Sequence, residues 1–142
     1  MQLLKYVIPV ALLASSALAQ GITITSPSPG TTVTSGSNIT VQVGTNIFIE
    51  NLETIAIAIG LQSCPVNNGC STADQGIGTI LYTGLFNPSF GPEYYGLYQN
   101  FEVTIPSSTP AGQANLAVAD FYLVAASQLP EMAFANASLI VA

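Results

Sequence analysis

The 142-residue chain has no histidine, no tryptophan and one basic side chain, Lys5, against seven carboxylates. Charged residues make up only 6% of it. Lys5 lies in an apolar N-terminal leader, so the chain without that leader has a formal charge of −6 − 1 = −7. Each absence closes a class of chemistry. With no cation, nothing clamps a phosphate, steers nucleic acid or pairs with a buried carboxylate. With no imidazole, Ser-His-Asp and Cys-His catalysis are excluded, and so is a histidine metal site. A glycosidase needs only two carboxylates. The acids here, Glu50, Glu53, Asp74, Glu93, Glu102, Asp120 and Glu131, are scattered, mostly over expected strand ends and loops. The expectation is a protein that is not an enzyme, carries no cofactor or metal, and binds no nucleic acid.

What is present starts with the leader. Met1-Gln2-Leu3-Leu4-Lys5 is a short positive n-region, Tyr6 to Leu13 is apolar, and small residues follow, ending in Ala17-Leu18-Ala19. This pattern predicts a signal peptide over 1–19, cut after Ala19. Residues 20–142 then form one domain with one core. The apolar run is too short to span a bilayer, and no GPI signal ends the chain. The expectation is a secreted protein, extracellular or held on a wall, without stable membrane insertion.

Cys64 and Cys70 enclose Pro65-Val66-Asn67-Asn68-Gly69. In an oxidising compartment such a pair predicts one local disulfide. Two thiols without histidine or further cysteine cannot complete a zinc site. Two N-glycosylation sequons stand at Asn38-Ile39-Thr40 and Asn136-Ala137-Ser138, while Asn87-Pro88-Ser89 is disqualified by its proline. Period-two alternation puts Ile39, Val41 and Val43 on one face and Asn38, Thr40 and Gln42 on the other. Near the end, Ala135, Ala137, Leu139 and Val141 alternate with Phe134, Asn136, Ser138 and Ile140. Both sequon asparagines therefore face away from the core.

The rest of the chain alternates short strands with turn clusters. Ile22 and Ile24 precede Ser26-Pro27-Ser28-Pro29-Gly30, and Val33 precedes Ser35-Gly36. Ile55, Ile57, Ile59 and Leu61 predict one face of a strand over 54–61. Further strands are expected at 78–82, at 101–105, over 114–124 and at 133–141. The apolar phase slips around Asp120: Leu116 and Val118 lie on one face, Phe121 and Leu123 on the other. A β-bulge there accounts for the slip. A buried Asp120 has no cation in the chain to pair with, so it must accept hydrogen bonds, bind a metal ion or take up a proton. Seven or eight strands predict an all-β fold, a single antiparallel β-sandwich.

The stretch from Leu85 to Tyr98 holds Phe86, Phe90, Tyr94, Tyr95 and Tyr98 among glycines and prolines. Either these aromatics form a platform for sugar rings or an apolar surface, or they plug one end of the sandwich.

Ile24-Thr25-Ser26-Pro27, Gly30-Thr31-Thr32-Val33, Ser35-Gly36-Ser37-Asn38-Ile39-Thr40-Val41 and the later Pro106-Ser107-Ser108 with Pro110-Ala111-Gly112 resemble the fungal Kre9/Knh1-like cell-wall domain. The whole also resembles small secreted proteins of mushroom-forming fungi. The chain departs from that group in having Val41-Gln42-Val43 where the early strand carries tryptophan, and in lacking a Ser/Thr-rich GPI-linked tail. The resemblance implies an immunoglobulin- or fibronectin-III-like sandwich of about seven strands, linked to wall β-glucan. The expected function is thus non-catalytic: structural association with wall polysaccharide, or with an apolar surface, through a polar face bearing aromatics. A surface-active or adhesive protein is the first alternative, and a secreted effector or elicitor the second.

Overall fold

The computed structural model describes residues 21–45 and 52–142. The expected signal peptide and Glu50 lie outside them. Nine strands follow one another: β1 Ile22–Ser26, β2 Thr31–Val33, β3 Asn38–Thr45, β4 Leu52–Ser63, β5 Thr79–Gly84, β6 Ser89–Gly91, β7 Tyr94–Thr104, β8 Gly112–Val124 and β9 Leu129–Val141. There is no helix among the described residues. One sheet, A, has the order β1-β3-β7-β6, and the other, B, the order β2-β9-β8-β4-β5. The pairs are antiparallel except β2 with β9, which runs parallel. Seven of the strands are longer, and β2 and β6 are short, of three residues each; β6 is the strand beyond the seven or eight expected.

The sheets pack inner face to inner face. Ile22 and Ile24 of β1, Val41 and Val43 of β3, and Phe101 and Val103 of β7 supply one side of the core. Ile57, Ile59 and Leu61 of β4, Leu116 and Val118 of β8, and Ala135 to Val141 in alternation on β9 supply the other. β-Branched residues recur on these faces because they pack on a pleated surface. Tyr82 and Phe86 reach in from the β5 side and meet Phe101, with ring centroids 4.8 and 6.1 Å apart.

The structure corrects the sequence reading at three places. First, the bulge lies on β4, not at Asp120. Thr54 pairs with Tyr122 and Ala56 with Phe121, so Ile55 is the extra residue. Ile55 leaves the phase of Ile57, Ile59 and Leu61, and Thr54 turns to the inner face. Second, β8 keeps its register throughout. Asp120 pairs with Ile57 and Ala133 and so faces inward with Leu116, Val118 and Tyr122. The hydrophobic pattern slips only because the outer face of sheet B is itself apolar at Phe121 and Leu123. Third, 85–98 is not one long loop. It contains β6 and the start of β7, paired as a hairpin with a register shift between Phe90 and Gly91.

The outer face of sheet B is divided in two. Cys64 and Cys70 are joined, with Cα atoms 4.6 Å apart, and the segment that follows lies across the sheet. Ile77 rests on Gly60, where a Cβ would collide with the Ile77 carbonyl oxygen; only glycine admits that approach. Asn115 Nδ2 donates to Ser71 O at 2.9 Å and to Asn136 Oδ1 at 2.9 Å, and Ala73 N donates to the same Oδ1 at 2.8 Å. Ala117, although on the outer face, is 0% exposed as a result. Beyond this cover, Phe121, Met132 and Phe134 remain open to solvent.

Candidate functional site

The outer face of sheet A is built from cross-strand polar pairs. β3 and β7 place Asn38 opposite Thr104, Thr40 opposite Glu102, Gln42 opposite Asn100 and Gly44 opposite Tyr98. These rows form a strip about 20 Å long, at the usual rise along a strand. Thr104 Oγ1 donates to Asn38 Oδ1 at 2.6 Å, and Thr40 donates to Glu102. In the third row, Gln42 Nε2 donates to Glu93 Oε2 at 2.7 Å and to Asn100 Oδ1 at 3.0 Å. Thr25 Oγ1 donates to Gln42 Oε1 at 2.6 Å, and Asn100 Nδ2 to Glu93 Oε2 at 3.2 Å. Gln42 is buried yet satisfied at both ends of its amide, which is the condition for burying such a group. Glu93 therefore has a carboxylate held by two amides, with no cation among the described residues.

Tyr98 flanks this cluster. It lies two residues before Asn100, on the same face of β7, and its ring passes over Gly91. A Cβ at Gly91 would collide with the Tyr98 hydroxyl. Glu93 N donates to that hydroxyl at 3.4 Å. Tyr98 is half-buried, so part of the ring remains at the surface next to amides and a carboxylate. Hydroxyls, amides, a carboxylate acceptor and an aromatic face are the groups that recognise an uncharged, hydroxyl-rich ligand.

The candidate aromatics do not share one face. Phe86 is 1% exposed and belongs to the core, so it offers no ring to a ligand. Phe90 is 71% exposed on edge strand β6, but it pairs with Leu97, whereas Ser89 pairs with Tyr98. Phe90 and Tyr98 thus point to opposite sides of sheet A. Tyr94 and Tyr95 open β7; their side chains lie outside the described residues. Asn38 and Asn136 are both exposed, on the outer faces of sheets A and B. The sequence alone does not mark Gln42, Glu93 and Asn100 as one cluster. Gln42 signalled itself only by alternating with Asn38 and Thr40; its partners lie 51 and 58 residues away.

Asp120 is the other chemically notable group. It is 3% exposed, and among the described residues its Oδ1 has no hydrogen-bond partner. Burial pushes its carboxyl up to about 6. It lines a cavity of about 20 Å³ with Gly21, Ile22, Thr45, Leu52, Thr54, Tyr122 and Ala133. Thr54 does not serve it, because its hydroxyl donates to Phe86 O at 2.6 Å. The Tyr122 phenol is raised by burial first, then by Glu131 and Asp120. The cavity is on the scale of one water, too small for a sugar. Among the described residues no three His, Cys, Asp or Glu gather as metal ligands, and no helix is long and apolar enough to cross a membrane.

Among solved structures, the chain is similar to the superoxide reductase (neelaredoxin) from Ignicoccus hospitalis. The identity is 12% and the TM-score 0.51, over 86% of this chain and 80% of that one. At that identity the likeness is one of fold alone. No curated protein matches. The Nis1 family model matches residues 15–140, whereas the turns that resemble the Kre9/Knh1-like domain gain no support from these comparisons. A match over that span makes the chain a member of the Nis1 family.

Proposed function

We propose that this is a secreted, non-catalytic protein of the fungal wall or extracellular matrix that associates with wall β-glucan through the outer face of sheet A. One observation carries the reading: the Gln42–Glu93–Asn100 cluster, fixed by its own hydrogen bonds beside Tyr98. A ligand meeting it finds oriented amides and a carboxylate without the ordering cost that mobile side chains would add. The disulfide accords with an extracellular setting. Asp120, whose carboxyl is raised by burial, lines a cavity of about 20 Å³, too small for a sugar, which accords with a structural rather than a catalytic carboxyl.

The test is retention on insoluble β-glucan, with chitin and cellulose alongside. Tyr98→Ala should weaken retention about fivefold, the scale of one stacked ring. Asn100→Ala should weaken it as well, by freeing Glu93 and Gln42. Retention should survive high salt, because no ion pair is involved. Folded variants that bind as well as the parent, or a parent that is not retained on glucan, would end this reading.

The surface-active alternative rests on a different observation, the solvent-open Phe121, Met132 and Phe134 on sheet B. It requires that face to be bare in the secreted protein.

A further inference from the structure

Asn136 and Phe134 stand two residues apart on β9, and both side chains leave the outer face of sheet B. Their Cα atoms are about 7 Å apart, by the rise of a strand. Phe134 is 40% exposed, and opposite it on β8 is Ala119, which adds no bulk. The covering 64–78 segment stops at the Asn136 row: Ala73 N and Asn115 Nδ2 both donate to Asn136 Oδ1. A backbone N–H can only donate, so Ala73 fixes which end of the Asn136 amide is oxygen. Nδ2 is then the end turned from those donors, and Asn136 is exposed. Asn136-Ala137-Ser138 is a glycosylation sequon.

We infer that Asn136 carries an N-linked glycan whose first N-acetylglucosamine lies against the Phe134 ring and covers the open half of this sheet face. The inference rests on secretion through a glycosylating pathway, as the proposed function does. In the transfer, Asn136 Nδ2 bonds to C1 of the sugar and gives up one proton. The bond from C1 to the pyrophosphate of a lipid-linked oligosaccharide breaks, and the lipid pyrophosphate leaves with its electron pair and takes up that proton. The glycosylated amide keeps Oδ1 free, so the clamp from Ala73 and Asn115 is unaffected and holds the linkage in one orientation. One sugar face presents C–H groups of partial positive charge to the negative face of the ring, the arrangement aromatic rings favour. The position supplies what an apolar face on a soluble protein lacks, a covalently attached polar cover. Asn38 is an internal control. It is also an exposed sequon asparagine on a strand, but two residues before it stands Gly36, which has no ring.

The experiment is expression of the full chain in a fungal secretory host, with glycopeptide mapping and thermal unfolding of the secreted product. Asn136 should be occupied. Ser138→Ala, which abolishes the sequon and leaves the Asn136 clamp in place, should lower Tm by about 3 °C, the size of one lost contact in a domain of this length. Trimming the glycan to its first sugar should leave Tm unchanged. In a Phe134→Ala background, Ser138→Ala should no longer lower Tm, and Phe134→Tyr should restore the effect. An unoccupied Asn136 beside an occupied Asn38 would overturn the inference and leave secretion standing. An equal loss of Tm with and without the Phe134 ring would overturn the stacking. A product with its leader intact and neither asparagine occupied would overturn the inference by removing the secretion on which it rests.

Discussion

Replacing Asp120 by asparagine should flatten a pH dependence built into the fold. The carboxyl is raised from its ordinary 3.8 to about 6 by burial, which strips water from the charged form while Oδ1 gains no donor. Between those two values the folded chain keeps a proton that the unfolded chain has released. The contribution is therefore intact below about 3.8, declines as pH rises, and is fully lost above about 6. A rise of that size corresponds to about 3 kcal/mol at most. The cavity that Asp120 lines is partly open to solvent, and screening there reduces the figure to about 1–2 kcal/mol. The measurement is chemical unfolding of wild type and Asp120→Asn across this range. Their difference at each pH isolates Asp120 from the other carboxylates. The two should be alike near about pH 4, and the variant should be more stable by about 1–2 kcal/mol near about pH 7.5. Parallel profiles, or a wild type that gains on the variant as pH rises, would refute the reasoning. A carboxyl carbon chemical shift for Asp120 that titrates with the ordinary surface acids would do the same.

Two further substitutions probe the scaffold. Phe86→Ala removes a ring that is 1% exposed and packed on Phe101, and should cost about 3–5 kcal/mol in denaturant unfolding; a loss below about 1 kcal/mol would place the ring outside the core. Replacing Cys64 and Cys70 together by serine should cost about 2 kcal/mol, and limited proteolysis should then cut first within 64–78. Cleavage elsewhere first would mean that the bridge does not hold that segment on the sheet.

Period-two alternation made most of the inner faces legible. Ile22 and Ile24, Ile39 to Val43, and Phe101 to Ile105 each stand between polar or small neighbours, so one register satisfies the pattern. The reading failed where both faces of a strand are apolar. On β8, Leu116 and Val118 point in and Phe121 points out, and hydrophobicity alone cannot tell the faces apart. An inward Asp120 then looked like a bulge. The real bulge at Ile55 left no mark, because Ile55 continued the isoleucine series that Ile57 and Ile59 begin. The polar cluster of sheet A was hidden for another reason. Gln42, Glu93 and Asn100 become neighbours only through the β3–β7 pairing, and long-range pairing has no local signature. Phe86 and Phe90, four residues apart among similar neighbours, have opposite fates because one reaches Phe101 and the other sits on the edge strand β6.

The two outer faces solve the same problem by different chemistry. A chain with 6% charged residues cannot hold water at its surface with ions. Sheet A does so with cross-strand hydroxyl, amide and carboxylate pairs, each already hydrogen-bonded and each with further lone pairs for water or for a hydroxyl-rich ligand. Sheet B covers part of its apolar outer face with the disulfide-bound segment, pinned through Asn115 and Asn136. On β9 the next residue on that face, Phe134, is open to solvent. A sugar linked at Asn136 would extend the cover at the place where the polypeptide cover stops, and would leave sheet A as the face available for recognition. The Ser138→Ala variant therefore bears on function as well as stability. If it is retained on hydrophobic resin while the glycosylated parent is not, the apolar face is one the molecule keeps hidden, and the adhesive surface must be sought on sheet A.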